Sequence, residues 1–244
     1  MAPGDAFLDA FHDACFEGNL PQTQAALASG RLNPPDLDEA LNLASGEAHA
    51  DIVSALFAAG ARITPDSASF LTGKSGHQHP TIVRFLKDPA CVRELLSRGA
   101  DPNRCGPRGV TPLAGALEYV SEDDTSLFEL LLEYGAKLEA SLFVEAMRPR
   151  GEGVFKTRFL LGKGLDPNIT SAEWGTPLHR AVYLAKGRVV ELLLEAGADP
   201  TARVECRQFG DRSPVGVAEA RGQRDPALQV PLQNIIELLR SHPR

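Results

Sequence analysis

Few residues in this chain have the types and spacing that chemistry needs. Gly73-Lys74-Ser75 has the form of the end of a phosphate-binding loop, where backbone N–H groups and a lysine cradle an anion. The first glycine of that motif would fall at Ala68, and no strand precedes it, so the stretch reads as a solvated loop. His77 and His79 with Cys91 or Cys105 would supply metal-binding atoms, but their spacing fits no zinc pattern. His12 and Cys15 stand three apart, as a dyad on one helix would, and equally as part of a core-facing stripe. Asn168-Ile169-Thr170 is formally a glycosylation sequon. Nucleophile-elbow, H-E-x-x-H and dinucleotide signatures do not occur in the sequence. The expectation is therefore no catalytic residue, no cofactor and no metal, with a small-molecule enzyme built on enlarged loops as the reading least supported.

The elements around these residues are set by composition. The chain has 244 residues, 43% of them hydrophobic, enough for a sizeable core. No stretch of eighteen apolar residues occurs, and the N-terminus carries acids where a secretory signal would carry Lys or Arg. Cys15, Cys91, Cys105 and Cys206 are scattered without a C-x-x-C, as reduced intracellular thiols are. The expected setting is thus inside the cell, cytoplasmic or nuclear, with no membrane contact. A net charge of −7 argues against nucleic acid as a partner. That charge is uneven: residues 1–147 hold 10 Lys and Arg against 21 Asp and Glu, and residues 148–244 hold 15 against 11.

Self-comparison reveals a repeat. Apolar runs ending in glycine recur at Gln24–Gly30, Ser54–Gly60, Arg93–Gly99, Glu129–Gly135, Arg158–Gly164 and Glu191–Gly197, with the glycines 30, 39, 36, 29 and 33 residues apart. Glu237–His242 is a seventh, terminal copy. Each run reads as a helix ended by a left-handed glycine, followed by a tight loop such as Gly99-Ala-Asp-Pro-Asn103 or Gly164-Leu-Asp-Pro-Asn168. A second helix then opens at Thr111-Pro112-Leu113, Thr176-Pro177-Leu178-His179 or Ser213-Pro214-Val215, where the hydroxyl caps free N–H groups and proline at the first helical position loses nothing. Ala14, Ala44, Ala116, Ala181 and Ala218 lie one turn on and let neighbouring helices approach closely. The irregular third unit reads with an inner helix over 80–87 and an enlarged loop over 64–79, a short helix at 66–72 being the alternative. Enlarged loops are also expected at Ser121–Thr125 and Thr201–Arg212.

Thr176-Pro-Leu-His-Arg-Ala181, followed by Val189-Val-Glu-Leu-Leu-Leu-Glu-Ala-Gly-Ala-Asp-Pro200, resembles an ankyrin repeat almost residue for residue, and the resemblance runs over nearly the whole chain. It implies an all-α ankyrin-repeat solenoid of about seven helix-loop-helix units with short hairpin loops, near 5–34, 35–64, 65–103, 104–138, 139–170, 171–204 and 205–244, forming one array over 1–244. It also implies that His179 makes structural hydrogen bonds between loops. The N-terminal unit places Asp13 and Glu17 on a helix with no preceding neighbour, as a polar capping unit needs.

In such arrays the concave face is built from loop tips and from two positions after the small residues of each inner helix. Carried over, these are Phe16 and Glu17, Gly46 and Glu47, Glu118 and Tyr119, Arg148 and Pro149, Tyr183 and Leu184, and Ala220 and Arg221. Tyr119, Trp174 and Tyr183, with Phe209 on a long loop, are expected to present aromatics to a partner; the competing expectation is that Trp174 plugs its hairpin and Phe209 folds back onto the seventh unit. Partner contact is assigned to Glu118, Tyr119, Trp174, Tyr183, Leu184, Phe209 and Arg221. The basic run Arg148, Arg150, Lys156, Arg158, Lys163 reads chiefly as a solvated face. The expected function is a non-catalytic, monomeric scaffold that binds another protein. The alternative is a regulatory or targeting subunit that inhibits or delivers an enzyme, of the ubiquitin-ligase adaptor or phosphatase-inhibitor type.

Overall fold

The computed structural model describes residues 6–63, 88–105, 110–148 and 153–242. Among them are thirteen α-helices, and the only β pairing is two isolated bridges. The packing divides into two compact units, 1–137 and 138–244. The inner helix expected over 80–87, its loop and alternative, Gly73-Lys74-Ser75, His77 and His79 all lie outside the described residues, as do Pro149 and Arg150.

In the first unit, α1 (Ala6–Glu17) pairs with α2 (Leu20–Ala28), and α3 (Pro34–Gly46) pairs with α4 (Ala50–Ala58). They are followed by α5 (Pro89–Ser97), then α6 (Pro112–Ala116) paired with α7 (Ser126–Glu133). The second unit consists of three pairs: α8 (Ser141–Ala146) with α9 (Val154–Gly162), α10 (Pro177–Tyr183) with α11 (Gly187–Glu195), and α12 (Pro214–Arg224) with α13 (Gln229–Ser241).

Why these segments are helical and stop where they do follows from the end chemistry. Thr111 Oγ1 accepts the Ala114 N–H at 3.3 Å and Ser213 Oγ accepts the Gly216 N–H at 3.3 Å, each with proline at the next position. Asn33 and Asp36 cap α3 reciprocally, the Asn33 N–H donating to Asp36 at 2.9 Å and the Asp36 N–H to Asn33 at 3.1 Å. At the far end of α11, Gly197 turns left-handed at φ +90°, where a Cβ would crowd the following carbonyl; the same cap recurs at Gly30, Gly60, Gly99, Gly135 and Gly164.

Stacking forms two layers in each unit. Outer helices pack in series, α2 on α4 on α5 on α7 and α9 on α11 on α13, while α1 packs on α3 and α8 on α10 on α12. In α11, Val189, Val190, Leu193 and Leu194 are buried while Glu191 and Glu195 are exposed, so one stripe meets its neighbours and the other meets water. Burying such a leucine is worth about 1.5–3 kcal/mol, and no single helix pair has enough partners to do it alone. Ala14, Ala44, Ala116, Ala181 and Ala218 are all buried at inner-helix contacts.

Polar links between successive repeats come from the Asp-Pro-Asn loops. Asn103 Nδ2 donates to the Gly135 carbonyl at 2.9 Å and Asn103 Oδ1 accepts the Lys137 N–H at 2.8 Å. Asn168 does the same two repeats later, to the Gly197 carbonyl at 2.9 Å and from the Asp199 N–H at 2.7 Å. Each asparagine thus satisfies one orphan carbonyl and one loop amide of the next repeat.

Candidate partner-binding site

Two five-residue hairpins in the second unit build the site. Ser171-Ala-Glu-Trp-Gly175 closes through Ser171 N–H to the Gly175 carbonyl at 2.8 Å and the reverse bond at 2.9 Å. Cys206-Arg-Gln-Phe-Gly210 closes the same way, at 3.0 and 2.8 Å. The hairpins are joined by Arg207 N–H to the Ala172 carbonyl at 2.9 Å and Gln208 N–H to the Glu173 carbonyl at 3.0 Å. Gly175 sits at φ +69°, and a Cβ there would come within 3.3 Å of the His179 ring, so that corner needs glycine.

Trp174 and Phe209 therefore hold equivalent places in consecutive hairpins. Phe209 is only 5% exposed: Trp174 meets it edge-on at 5.8 Å, Tyr183 at 5.3 Å, and His179 stacks on it at 6.4 Å. This corrects the expectation of an exposed Phe209. The ring is the floor of the cluster because three neighbours enclose it, and hydrophobic burial outweighs its position on a long loop. Trp174 and Tyr183 lie above it, half-buried, with centroids 6.0 Å apart.

An arginine lies against one face of each of these two rings. Arg180, 9% exposed, places its guanidinium 4.3 Å from the Trp174 ring centroid, and Arg221 lies 5.1 Å from that of Tyr183. Arg180 Nη2 donates to the Val144 carbonyl at 3.4 Å. Arg221 Nη2 pairs with Asp225 Oδ2 at 3.3 Å. Among the described residues, Nε of both arginines is buried without a hydrogen-bond partner. Burial pulls the Arg180 guanidinium below its ordinary pKa, opposed by the carboxylates of Glu145 and Glu173, yet an arginine keeps its proton at neutral pH.

His179 is structural. Its Nδ1 accepts the Thr176 N–H at 3.2 Å, which assigns the ring proton to Nε2, and Nε2 donates to the Arg212 carbonyl at 2.9 Å. Desolvation lowers its pKa, against the opposing effect of backbone bonding. The ring thus links the start of α10 to the loop before α12.

The remaining assigned residues fall as follows. Leu184 is half-buried at the C-cap of α10, next to Tyr183. Glu118 and Tyr119 belong to the first unit, in the turn after α6, Glu118 exposed and Tyr119 half-buried. Tyr119 lines a hollow of about 350 Å³ with Pro89, Ser121, Asp124 and Phe128. Burial and then the Glu118 charge push its phenol above the ordinary value. The structure brings Trp174, Tyr183, Leu184, Phe209 and Arg221 to one place in the second unit. Arg180, the arginine after Thr-Pro-Leu-His, joins this group through the Trp174 ring, a contact that its own segment does not signal. Phe16, a carried-over groove position not chosen for contact, is 50% exposed in the first unit.

Burial keeps two of the thiols, Cys15 and Cys91, in their neutral form. Cys15 pairs with Thr23 at 3.7 Å, and burial pushes its thiol up to about 11. Cys91 is pushed up to about 12 by burial, with Asp88 and Glu94 adding to it. All four cysteines are free thiols, and among the described residues no three His, Cys, Asp or Glu side chains gather as a metal site. Among these residues no helix is long and apolar enough to cross a membrane. The sequon asparagine, Asn168, is already committed to Gly197 and Asp199.

Comparison with known proteins agrees with this architecture. The family model described as ankyrin repeat matches residues 175–204, the span holding Trp174's hairpin glycine, α10 and α11. The mouse 2-5A-dependent ribonuclease is 37% identical over 103 residues, 42% of this chain and 12% of that protein. The Arabidopsis thaliana E3 ubiquitin-protein ligase KEG is 25% identical over 265 aligned positions, 87% of this chain and 16% of that protein. The chain thus spans only a small part of the length of these relatives. Among solved structures, the ankyrin repeat domain of Bcl-3, described as a unique member of the IkappaB protein family, is similar with a TM-score of 0.66 at 23% identity, covering 97% of this chain and 99% of that one. The human ASB11 ankyrin repeat domain is similar with a TM-score of 0.57 at 21% identity, covering 91% and 96%.

Proposed function

We propose that this chain, an ankyrin-repeat protein, is a non-catalytic scaffold that binds another protein through the hairpin tips and inner-helix face of its second unit. Ankyrin repeats are protein–protein interaction modules. One observation carries the assignment to this face: Trp174 and Tyr183 are half-buried rings held on paired hairpins and a short helix, over a buried Phe209. Rings so supported lose little freedom on binding and offer large apolar area, which is how aromatic anchors supply affinity. Leu184 and Arg221 extend the contact. Glu118 of the first unit acts mainly in steering, because exposed charges govern encounter more than residence, and Tyr119 adds an aromatic contact.

The reading includes a monomer whose seven units form one array, supported by the glycine period continuing from Gly135 to Gly164. It places the protein in the cytoplasm or nucleus, supported by four unpaired cysteines. A regulatory role toward an enzyme is the second reading, supported by the names of the two relatives, a ribonuclease and a ubiquitin ligase, of which this chain matches only 12% and 16%. Crosslinking with mass spectrometry after capture from lysate tests both. Crosslinks centred on 174–184 and 207–221 support the surface, and an enzyme as the crosslinked protein supports regulation. Crosslinks confined to α9 and α11 instead would contradict the assigned face.

A further inference from the structure

The Trp174–Tyr183 corner is not simply apolar. Arg221 lies over the Tyr183 face and is held by a single carboxylate oxygen, that of Asp225 four residues on, at 3.3 Å. Its Nε has no partner among the described residues, and a buried donor left unmade is destabilising. Arg180, nine-tenths buried against the Trp174 ring, has the carboxylates of Glu145 and Glu173 near it but only the long 3.4 Å bond to Val144 and an unpartnered Nε. Two under-bonded guanidinium groups thus flank two half-buried rings. A guanidinium fork donates two parallel bonds to a carboxylate, a pairing that Asp225, sharing its helix terminus, does not complete. Asp225 is itself the observation that a carboxylate fits here, since it belongs to the C-cap of α12 and is partly exposed.

We infer that the Trp174–Tyr183–Arg221 corner takes an acidic peptide segment of the partner protein, one with an apolar side chain next to its carboxylate, and that Asp225 holds the arginine in place until that segment displaces it. The apolar side chain covers the exposed edges of Trp174 and Tyr183. The carboxylate takes over the Nη end of Arg221, with two oxygens in place of the one that Asp225 supplies. The inference rests on the reading of this face as the partner-binding surface.

Fluorescence anisotropy of the full chain tests it with three labelled peptides of one sequence pattern, in which Leu and Phe alternate with Glu, with Gln or with Lys. The Glu peptide is expected to bind about tenfold more tightly than the Gln peptide, and the Lys peptide not to bind. Arg221→Gln should cost the Glu peptide about tenfold and leave the Gln peptide unchanged, whereas Asp225→Asn should tighten the Glu peptide several-fold. Circular dichroism melting of each variant separates these effects from misfolding. The inference is overturned if Glu and Gln peptides bind alike, if the Glu peptide does not bind, or if Arg221→Gln changes nothing. A single-stranded DNA oligonucleotide that binds with the same Arg221 dependence would also overturn it, because recognition would then be of bare negative charge. Tyr183→Ala isolates the underlying reading: loss of both the Glu and the Gln peptide keeps the surface assignment even where the acidic preference fails, and no effect on either removes the surface itself.

Discussion

Trp174 and Phe209 stand at the same place in consecutive hairpins, and their rings meet edge-on at 5.8 Å. Because one ring is half-buried and the other almost wholly buried, the pair divides the work between contact and support. Phe209→Ala should therefore act on stability, not only on binding, costing about 3–5 kcal/mol through the lost ring and the cavity left behind. Trp174 is the sole tryptophan of the chain, so its emission reports the cluster directly. A red shift in the folded variant, together with a lower urea midpoint, is the expected result; unchanged emission would contradict the packing.

The repeat-to-repeat asparagines are open to the same kind of test. Asn168→Ala removes two bonds to the next loop, to Gly197 and from Asp199, and should cost about 1–3 kcal/mol in a urea titration. Asn168→Asp keeps the acceptor for the Asp199 N–H but sets a carboxylate oxygen against the Gly197 carbonyl, so it should not rescue the loss.

For His179 the sign of the pH effect follows from its depressed pKa. The folded protein binds the imidazole proton less readily than the unfolded chain does, so its contribution to stability is full above the ordinary value of 6.5 and is lost as pH falls through 6.5 toward the lower folded pKa. Stability measured by urea unfolding should therefore fall between neutral pH and the acid side of 6.5, and His179→Gln should reduce that slope. An equal slope in the variant would show that another group is responsible.

Leu193→Ala, at a fully buried position in α11, should cost about 2–5 kcal/mol. A loss within error would mean that the outer helix does not present this stripe to α9 and α13.

Much of this was legible in the sequence, for identifiable reasons. Leu193, the glycine caps and Thr176-Pro177 follow from local rules of periodicity and end chemistry, and those rules act within one repeat. Whether Phe209 is exposed or folded back is not legible locally, because its burial depends on Trp174, His179 and Tyr183, which lie 26 to 35 residues away and meet it only once the hairpins are joined. Arg180 is hidden for a related reason: a charged residue on an inner helix reads as solvated until the ring that covers it is placed. Residue 185 shows the same limit, an alanine in the left-handed region at φ +54° where the chain leaves α10, for which local propensity would have chosen glycine.

The central claim is that the aromatic face of the second unit holds the partner. Its most direct measurement is the dissociation rate of the partner identified by crosslinking, used free and unmodified, from the wild-type chain, Tyr183→Ala and Arg158→Glu, by surface-immobilised kinetics. Tyr183→Ala should weaken binding by about 1–3 kcal/mol, chiefly through faster dissociation, while Arg158→Glu on α9 should release the partner at the wild-type rate. A partner that leaves Tyr183→Ala at the wild-type rate but is no longer captured by Arg158→Glu would contradict the account and move the functional surface to the outer helices.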